Sequence, residues 1–143
     1  MRIISGTEPG RPDLAVAVRR APASGADAPP VLLVHGMGGD HSTWRRLARD
    51  LHESGRGLIA VDLRGHGRSG HASSYALDDF RDDLAAVLDA VGAARVDVVA
   101  HSLGAHAALR LAIGQPGRVR RMVLEEPPPV PENDDDLAEK IVP

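Results

Sequence analysis

Short apolar runs recur along the chain from residue 31, and each is followed by a turn and then by a segment with helical periodicity. The runs are continuous rather than alternating, which is typical of strands buried on both faces of a parallel sheet. They are VLLVH at 31–35, LIAVD at 58–62, VDVVA at 96–100, and Met122–Leu124 with its flanking residues. This alternation predicts an α/β fold with a mostly parallel sheet and flanking helices.

Three segments between these strands carry an apolar stripe at helical spacing. They are Trp44–Leu51, Leu77–Val91 and the alanine-rich Leu103–Ile113. Gly92 follows the second segment, where glycine favours the left-handed residue that ends many helices. We therefore expect a helix in each crossover connection, as a parallel sheet requires.

The amino-terminal region differs because its apolar residues alternate. Arg2–Ser5 and Leu14–Arg20 predict an edge hairpin, and Ala21–Pro30 predicts a loop. After Pro127 the chain continues with further prolines and then an acidic cluster, which indicates a linker or a frayed tail.

Length and composition limit the classes of function. A chain of 143 residues can bury the core of one domain, and it needs no disulfide, since it has no cysteine. The net charge of −3 gives no field that would attract nucleic acid, and no apolar stretch is as long as a membrane span. We therefore expect a soluble, cytoplasmic protein that binds neither nucleic acid nor membranes. The excess of arginine over lysine favours a bacterial source.

The segment VVAHSLG at 98–104 predicts a strand that ends abruptly and turns into a helix. Such an elbow lifts the Ser102 hydroxyl above the sheet, at a helix N-terminus where backbone N–H groups stabilise negative charge. The turn is strained and needs small neighbours, which Ala100 and Gly104 supply. As an isolated pattern, it fits equally well a serine that caps the helix.

Two further segments strengthen the catalytic interpretation. His35, Gly36, Met37, Gly38 and Gly39 follow the first buried strand, and the segment DLRGHGRS at 62–69 follows the second. With the AxSxG elbow, these segments resemble the HGxxG loop, the DxRGxGxS loop and the GxSxG elbow of the α/β-hydrolase fold family, in the order that the family has them. The chain thus resembles the esterase-like and lipase-like branch of that family, which uses a serine nucleophile.

The resemblance implies roles for individual residues. Ser102 would be the nucleophile, and the backbone N–H groups of Met37 and Leu103 would form the oxyanion hole. The residues His35, Gly36, Gly38, Gly39, His101 and Gly104 would shape the two motifs. The substrate would be a small ester-like molecule, and no cofactor is implied. A serine at the elbow disfavours the branches that use a carboxylate nucleophile.

The resemblance extends over about Arg2–Pro129 and then stops. We expect residues 1–129 to be the amino-terminal part of an α/β-hydrolase domain, truncated after the sixth strand. We expect residues 130–143 to be an acidic, flexible tail or the start of a missing cap region. A complete member of the family continues through two more strands and supplies its histidine last, in the order serine, acid, histidine.

The polar residues that remain are harder to assign. Glu126 is the candidate triad acid, because it lies at the end of the last strand, although a locally hydrogen-bonded carboxylate fits there too. We assign none of the seven histidines as the base, including His35, His66 and His101, which belong to the motifs. No ligand spacing indicates a metal site, and Asp62 is expected to anchor its own glycine-rich turn.

Three functions therefore remain open. The first is a serine hydrolase that transfers the acyl group of an ester, thioester or amide, or the nucleophile-bearing fragment of one. The second is a truncated, catalytically incompetent protein that binds partners or self-associates through an exposed sheet edge. The third is a dinucleotide-binding domain, for which Gly36 and Gly38 follow a strand, but His41 stands where the third glycine belongs.

Overall fold

The computed structural model describes residues 1–23 and 27–127, and these residues form one sheet with helices on both faces. The strands are β1 (Arg2–Ile4), β2 (Leu14–Arg19), β3 (Val31–Val34), β4 (Leu58–Val61), β5 (Val96–His101) and β6 (Val119–Glu125). The helices are α1 (Arg45–Glu53), α2 (Leu77–Val91) and α3 (Leu103–Gly114), with short 3-10 turns at His41–Trp44 and Pro116–Arg118. The expected tail at 130–143 lies outside the described residues.

The six strands lie in the order β1-β2-β4-β3-β5-β6. The first two strands pair antiparallel, and β2 also runs antiparallel to β4, whereas β4, β3, β5 and β6 are parallel. The mostly parallel sheet and the hairpin are confirmed. Because parallel strands end at the same edge, the loops that follow β3, β4, β5 and β6 meet there, which is where open α/β sheets place their sites.

Two apolar clusters hold the layers together. The larger cluster lies between the sheet and helices α2 and α3, with Phe80 fully buried within it. The smaller cluster lies on the other face, where Trp44 and the inner side of α1 cover Leu33 and Ala60. Both faces of β3 and β4 are therefore buried, as their continuous apolar runs predict.

Helix α2 begins and ends as its sequence indicates. The Ala76 N–H donates to the carboxylate of Asp79 at 3.2 Å, and acidic residues in the first turn favour the positive end of the helix dipole. Gly92 adopts the left-handed conformation after the last turn, with φ of 75°. None of the helices in the described ranges combines the length and the apolar character needed to cross a membrane.

Candidate active site

Ser102 lies at the sharp turn between β5 and α3, with φ of 51° and ψ of −116°. This left-handed backbone is unfavourable for a residue with a β-carbon. Hydrogen bonds hold the turn in place: the Ser102 N–H donates to the Glu125 carbonyl at 2.9 Å, and the Ser102 carbonyl accepts from Ala105 N–H at 2.9 Å. The Ser102 side chain makes no capping hydrogen bond to α3, so the helix-cap interpretation is wrong.

Small residues around Ser102 let three backbone segments approach closely. A β-carbon on Gly104 would lie 2.4 Å from the His35 carbonyl oxygen, and a β-carbon on Gly36 would lie 3.1 Å from the β-carbon of Ser102. Ala100 is fully buried. The start of α3 and the loop after β3 are therefore in direct contact, and larger side chains would separate them.

The His35 side chain holds the loop after β3. It is fully buried, its Nδ1 donates to the Gly36 carbonyl at 2.7 Å, and its Nε2 accepts from the Leu63 N–H at 3.0 Å. Burial lowers the pKa of His35, which favours the neutral ring that can both donate and accept. His35 is thus a structural link between two loops of the site.

The rest of the same loop is a tight turn. Gly38 has φ of 82°, and the Gly39 N–H donates to the Gly36 carbonyl at 3.1 Å. Met37, between the glycines, is 40% exposed, whereas Leu103 is buried at the start of α3. The N–H groups of the first helical turn have no partner within their own helix. Because Gly36 lies against Ser102, the two segments expected to form an oxyanion hole lie side by side.

Asp62 joins the loops that follow β3 and β4. Its carboxylate is buried and accepts from the His41 N–H at 2.7 Å, from His41 Nδ1 at 2.8 Å and from the Arg68 N–H at 3.0 Å. Gly67 lies against this carboxylate, because a β-carbon there would be 2.4 Å from Oδ2. Asp62 anchors its glycine-rich turn as predicted, and it also binds His41, a contact that the sequence does not reveal.

Arg64 of the same motif ties the loop to α2. Its guanidinium donates to both carboxylate oxygens of Asp83 at 2.6 and 2.7 Å and to the Ser74 carbonyl at 2.8 Å. Both charged side chains are almost fully buried. Burial raises the pKa of Asp83, and the bonds from Arg64 oppose that rise. The pair fixes the loop beneath the site.

Glu126 follows β6 and lies on the same side of the molecule as the elbow. Its backbone is left-handed, with φ of 47°, so the strand alternation expected to place it does not extend to this residue. Its carboxylate is 84% exposed and lies 3.9 Å from His101 Nε2. The role of Glu126 as the triad acid stays a prediction.

The other histidines in the described ranges bind elsewhere or lie at the surface. His66 Nδ1 donates to the Arg64 carbonyl, His52 contacts the Arg20 carbonyl, and His71 is exposed. Within the same ranges, one group of potential metal ligands occurs, Asp40, His41 and Asp62. His41 donates to the Asp62 carboxylate, and the Ser42 N–H donates to the Asp40 carboxylate.

A family model for the alpha/beta hydrolase fold matches residues 29–143. The chain belongs to the alpha/beta hydrolase fold family. The match begins just before β3 and includes every loop of the candidate site. The resemblance seen in the three motifs is therefore confirmed, and the dinucleotide-binding alternative loses its basis, since the glycines of residues 36–39 belong to a hydrolase loop.

Relatives of this chain carry the names of different hydrolytic enzymes. The lipase LipV of Mycobacterium tuberculosis is 41% identical over 97 residues, which are 68% of this chain and 36% of the lipase. The 2-hydroxy-6-oxo-2,4-heptadienoate hydrolase of Pseudomonas putida is 39% identical over 100 residues, which are 66% of this chain and 36% of that enzyme. The chain thus spans about a third of the length of these two relatives.

A solved structure shows the same fold. The structure, from a study of carboxylesterases of the thaumarchaeon Nitrososphaera gargenis, superposes with a TM-score of 0.81 at 24% identity. The superposition covers 96% of this chain and 50% of that one. The described strands and helices therefore form only part of an alpha/beta hydrolase fold.

The structure brings together most of the residues expected at the site. Gly36 lies against Ser102, and Gly104 lies against the backbone of His35, with Met37 and Leu103 next to these glycines in sequence. Sequence reasoning missed His41 and Asp83, the partners of Asp62 and Arg64. Asp62 and Arg64 are buried polar residues that follow a strand, so each needs a hydrogen-bond partner. No local sequence pattern identifies that partner.

Proposed function

We propose that this hydrolase, or the protein of which it forms part, transfers acyl groups with Ser102 as the nucleophile. The observation that carries the proposal is the strained backbone of Ser102. Its hydroxyl makes no capping hydrogen bond to α3. Unfavourable φ values of non-glycine residues concentrate at functional sites. A serine held in this way at a strand-to-helix turn presents its Oγ above the carboxyl edge of the sheet.

In the proposed reaction, Ser102 Oγ attacks the carbonyl carbon of the substrate while a base takes the hydroxyl proton. The carbonyl oxygen becomes an oxyanion, which the N–H groups of Met37 and Leu103 stabilise. The tetrahedral intermediate collapses, and the leaving alcohol takes the proton. Water then hydrolyses the acyl-enzyme by the same sequence of steps. The close contact of Gly36 with Ser102 supports this placement of the oxyanion loop.

The base is proposed to be a histidine outside residues 1–127. Within the described residues, His35, His41 and His66 are held by hydrogen bonds to other groups. His101 directly precedes the nucleophile, and adjacent side chains at a tight turn point in different directions. Glu126 is proposed as the acid that orients the base, since its exposed carboxylate follows the strand next to β5.

The proposed substrates are small esters, with thioesters and amides as related acyl compounds. A lipase among the relatives and a carboxylesterase study among the solved structures support esters first. Esters also have better leaving groups than amides, so they place less demand on the general acid.

The competing function is a catalytically incompetent domain that binds partners. The observation that favours it is the engagement of His35 and His66 in structural hydrogen bonds, which leaves neither of these motif histidines as an evident base for Ser102. A serine hydroxyl without a base loses several orders of magnitude in rate.

Acylation of Ser102 in the presence of added imidazole separates the two functions. The purified 143-residue chain is incubated with p-nitrophenyl acetate, with and without imidazole, and the acylated residue is identified by mass spectrometry. Acyl transfer predicts an adduct on Ser102 that imidazole accelerates and that Ser102→Ala abolishes. Acylation of Ser54, an exposed serine at the end of α1, gives the background rate for a serine outside the site. Ser54→Ala is the matched control variant and should leave acylation of Ser102 unchanged.

The two outcomes are distinct. An adduct on Ser102 that forms faster than adducts on other serines, and that accumulates because the base for deacylation is absent, supports the proposal. Acylation of Ser102 at the rate of Ser54, with imidazole present and the fold intact by circular dichroism, would overturn the proposal and favour the binding domain.

A further inference from the structure

An open groove lies between helix α1 and strand β2, on the face of the sheet that α1 covers. Its volume is about 710 Å³, which is within the range of small-molecule sites. Its walls and floor come from β2, β4, α1 and the 3-10 turn before α1. These elements lie toward the opposite end of the sheet from β6, where the described chain ends. Ser102 and Met37 are not among the lining residues.

The floor of the groove is apolar because of the register of two strands. Ala17 lies opposite Ala60, and Arg19 lies opposite Leu58, in the antiparallel pair of β2 and β4. Directly opposed residues share one face of a sheet, and Leu58 and Ala60 belong to the apolar cluster beneath α1. Ala17 and Arg19 therefore face the side of α1. The two alanines leave space above the strands that larger side chains would fill.

Helix α1 forms a wall that carries two arginines. Arg45, Ala48 and Arg49 have the spacing that places residues on one face of a helix, and all three line the groove. Ala48 packs against the apolar cluster, whereas both arginines are exposed. Neither guanidinium has a hydrogen bond or an ion pair within residues 1–23 and 27–127. Two unpaired cations thus border an apolar floor.

The charge changes along the groove. His41 lines the end at the N-terminus of α1, where the helix dipole favours negative charge. Its Nδ1 donates to the Asp62 carboxylate at 2.8 Å, which fixes the ring. Glu53 and Arg19 line the other end, where their charges offset each other. The net positive charge therefore lies near Arg45, at the beginning of the helix.

We propose that this groove binds an aliphatic carboxylate, with the carboxylate group between Arg45 and Arg49 and the chain along Ala17 and Ala60. Guanidinium groups bind carboxylates through two parallel hydrogen bonds. From Arg45 to Glu53 the helix rises about 12 Å, which gives room for a chain of medium length. A singly charged carboxylate suits the groove better than a doubly charged phosphate, because Glu53 lines the same groove.

Octanoate is the probe for this site. Calorimetric titration of the 143-residue chain should show that octanoate binds more tightly than acetate, which lacks the chain, and than 1-octanol, which lacks the charge. Hexanoate should bind about three- to tenfold more weakly than octanoate, because its shorter chain buries fewer methylene groups. Added salt should weaken the binding of octanoate, since exposed charges are screened.

Alanine methyl resonances can locate the bound probe. In a chain labelled with 13C at the alanine methyl groups, octanoate should shift the signals of Ala17, Ala48 and Ala60. Ala105 lies in the first turn of α3 and donates to the Ser102 carbonyl, so its signal reports on the candidate active site and should stay unchanged. A shift at Ala105 without shifts at the groove alanines would place the carboxylate at Ser102 and overturn the proposal.

Substitutions separate the charge from the apolar floor. Arg45→Gln and Arg49→Gln should each weaken octanoate binding about two- to fivefold, and the double variant about tenfold. Arg46→Gln is the matched control, because Arg46 is an exposed arginine of the same helix that does not line the groove. Ala17→Leu fills the floor and should abolish the preference for octanoate over hexanoate.

The contrary results are equally specific. The proposal is wrong if octanoate does not bind, if 1-octanol binds as tightly, or if Arg46→Gln weakens binding as much as Arg45→Gln does. Tighter binding of octyl phosphate than of octanoate would overturn the choice of a carboxylate. Acylation of Ser102 is not measured in any of these experiments, so failure of the proposed acyl transfer would leave their outcomes unchanged.

Discussion

A β-carbon on Gly36 would lie 3.1 Å from the β-carbon of Ser102 and 2.7 Å from Nδ1 of His101. The loop after β3 therefore reaches the turn at Ser102 only because residue 36 has no side chain. This contact limits where Met37 can lie relative to Ser102, and the proposed oxyanion hole depends on that position.

Gly36→Ala should slow the imidazole-assisted acylation of Ser102. The added methyl group displaces the loop and its Met37 N–H, and we expect a rate loss of about 10- to 100-fold, given how steeply misplacement lowers rates. The measurement is adduct formation followed by mass spectrometry. Gly117→Ala is the control, because nothing lies within 4 Å of a β-carbon there. An unchanged rate in Gly36→Ala would argue against Met37 as an oxyanion donor.

Gly104→Ala should destabilise the fold although alanine is the better helix former. Its β-carbon would lie 2.4 Å from the His35 carbonyl oxygen and 2.6 Å from that of Val34, and such overpacking costs about 1–3 kcal/mol. Gly114→Ala, in the same helix with open space around it, should be neutral or stabilising by up to about 1 kcal/mol. Urea unfolding measures both. Equal effects of the two substitutions would refute the close approach of α3 to β3.

The free energy of unfolding should fall as the pH drops below the ordinary pKa of histidine. Burial lowers the pKa of His35 in the folded state, so the unfolded chain binds a proton more readily. The contribution is fully present above about pH 6.5 and is lost on acidification. His35→Gln should lower the free energy of unfolding at pH 8 and should make it depend less on pH between pH 8 and 5. Substitution of an exposed histidine, His71→Gln, should leave that pH dependence unchanged. A slope that His35→Gln leaves intact would contradict this origin.

Asp97 should also make the free energy of unfolding depend on pH, but in a lower pH range than His35 does. It binds Arg120 at 2.6 and 2.9 Å and Arg56 at 2.7 Å, and the bonds from Arg120 contribute most to a pKa of about 2. Because the folded pKa is depressed, the contribution is present above pH 3.8 and is lost as the pH falls toward 2.

Asp97→Asn should therefore cost about 1–2 kcal/mol at pH 7, with allowance for solvent screening, and almost nothing near the folded pKa. Denaturant titrations between pH 7 and 2 measure the difference. Asp50→Asn on the exposed side of α1 should cost little at any pH. A constant difference between Asp97→Asn and the natural chain over this range would count against the ion pairs.

Breaking the buried pair of Arg64 and Asp83 should be costly, because the remaining charge stays buried. Asp83→Leu or Arg64→Met alone should each cost about 3–5 kcal/mol, whereas the double variant should cost much less than their sum. The exposed pair of Arg110 and Asp78, at a similar distance of 2.6 Å, serves as the control and should be worth less than about 1 kcal/mol. Additive losses at Arg64 and Asp83 would contradict the coupling.

The sequence predicts the fold well where the signal is local. The continuous runs of β3 and β4 indicate strands buried on both faces, and the elbow around Ser102 shows itself through small residues at a strand end. The contact of Asp62 with His41 joins two loops 21 positions apart, and the contact of Arg64 with Asp83 joins a loop to helix α2 over 19 positions. Their geometry depends on how the sheet arranges these loops and the helix, so no single segment of sequence contains it.

Glu126 shows the same limit from the opposite direction. Strand alternation gives a correct period through Glu125, but the chain leaves the strand at the next residue and adopts a left-handed backbone. A pattern of period two carries information only while the strand continues. The placement of Glu126 therefore depends on where β6 ends. The pairing with β5 determines that end, and the alternation of side chains does not.

The strained backbone at Ser102 also has an evolutionary consequence. Glycine adopts positive φ without penalty, so Ser102→Gly should make the folded chain more stable by relieving the elbow. A single nucleotide change can convert a serine codon into a glycine codon. In a lineage that no longer used the hydroxyl, replacement of Ser102 by glycine would therefore need few mutations and would increase stability. Sequencing close descendants at this one position would report whether selection still maintains the serine.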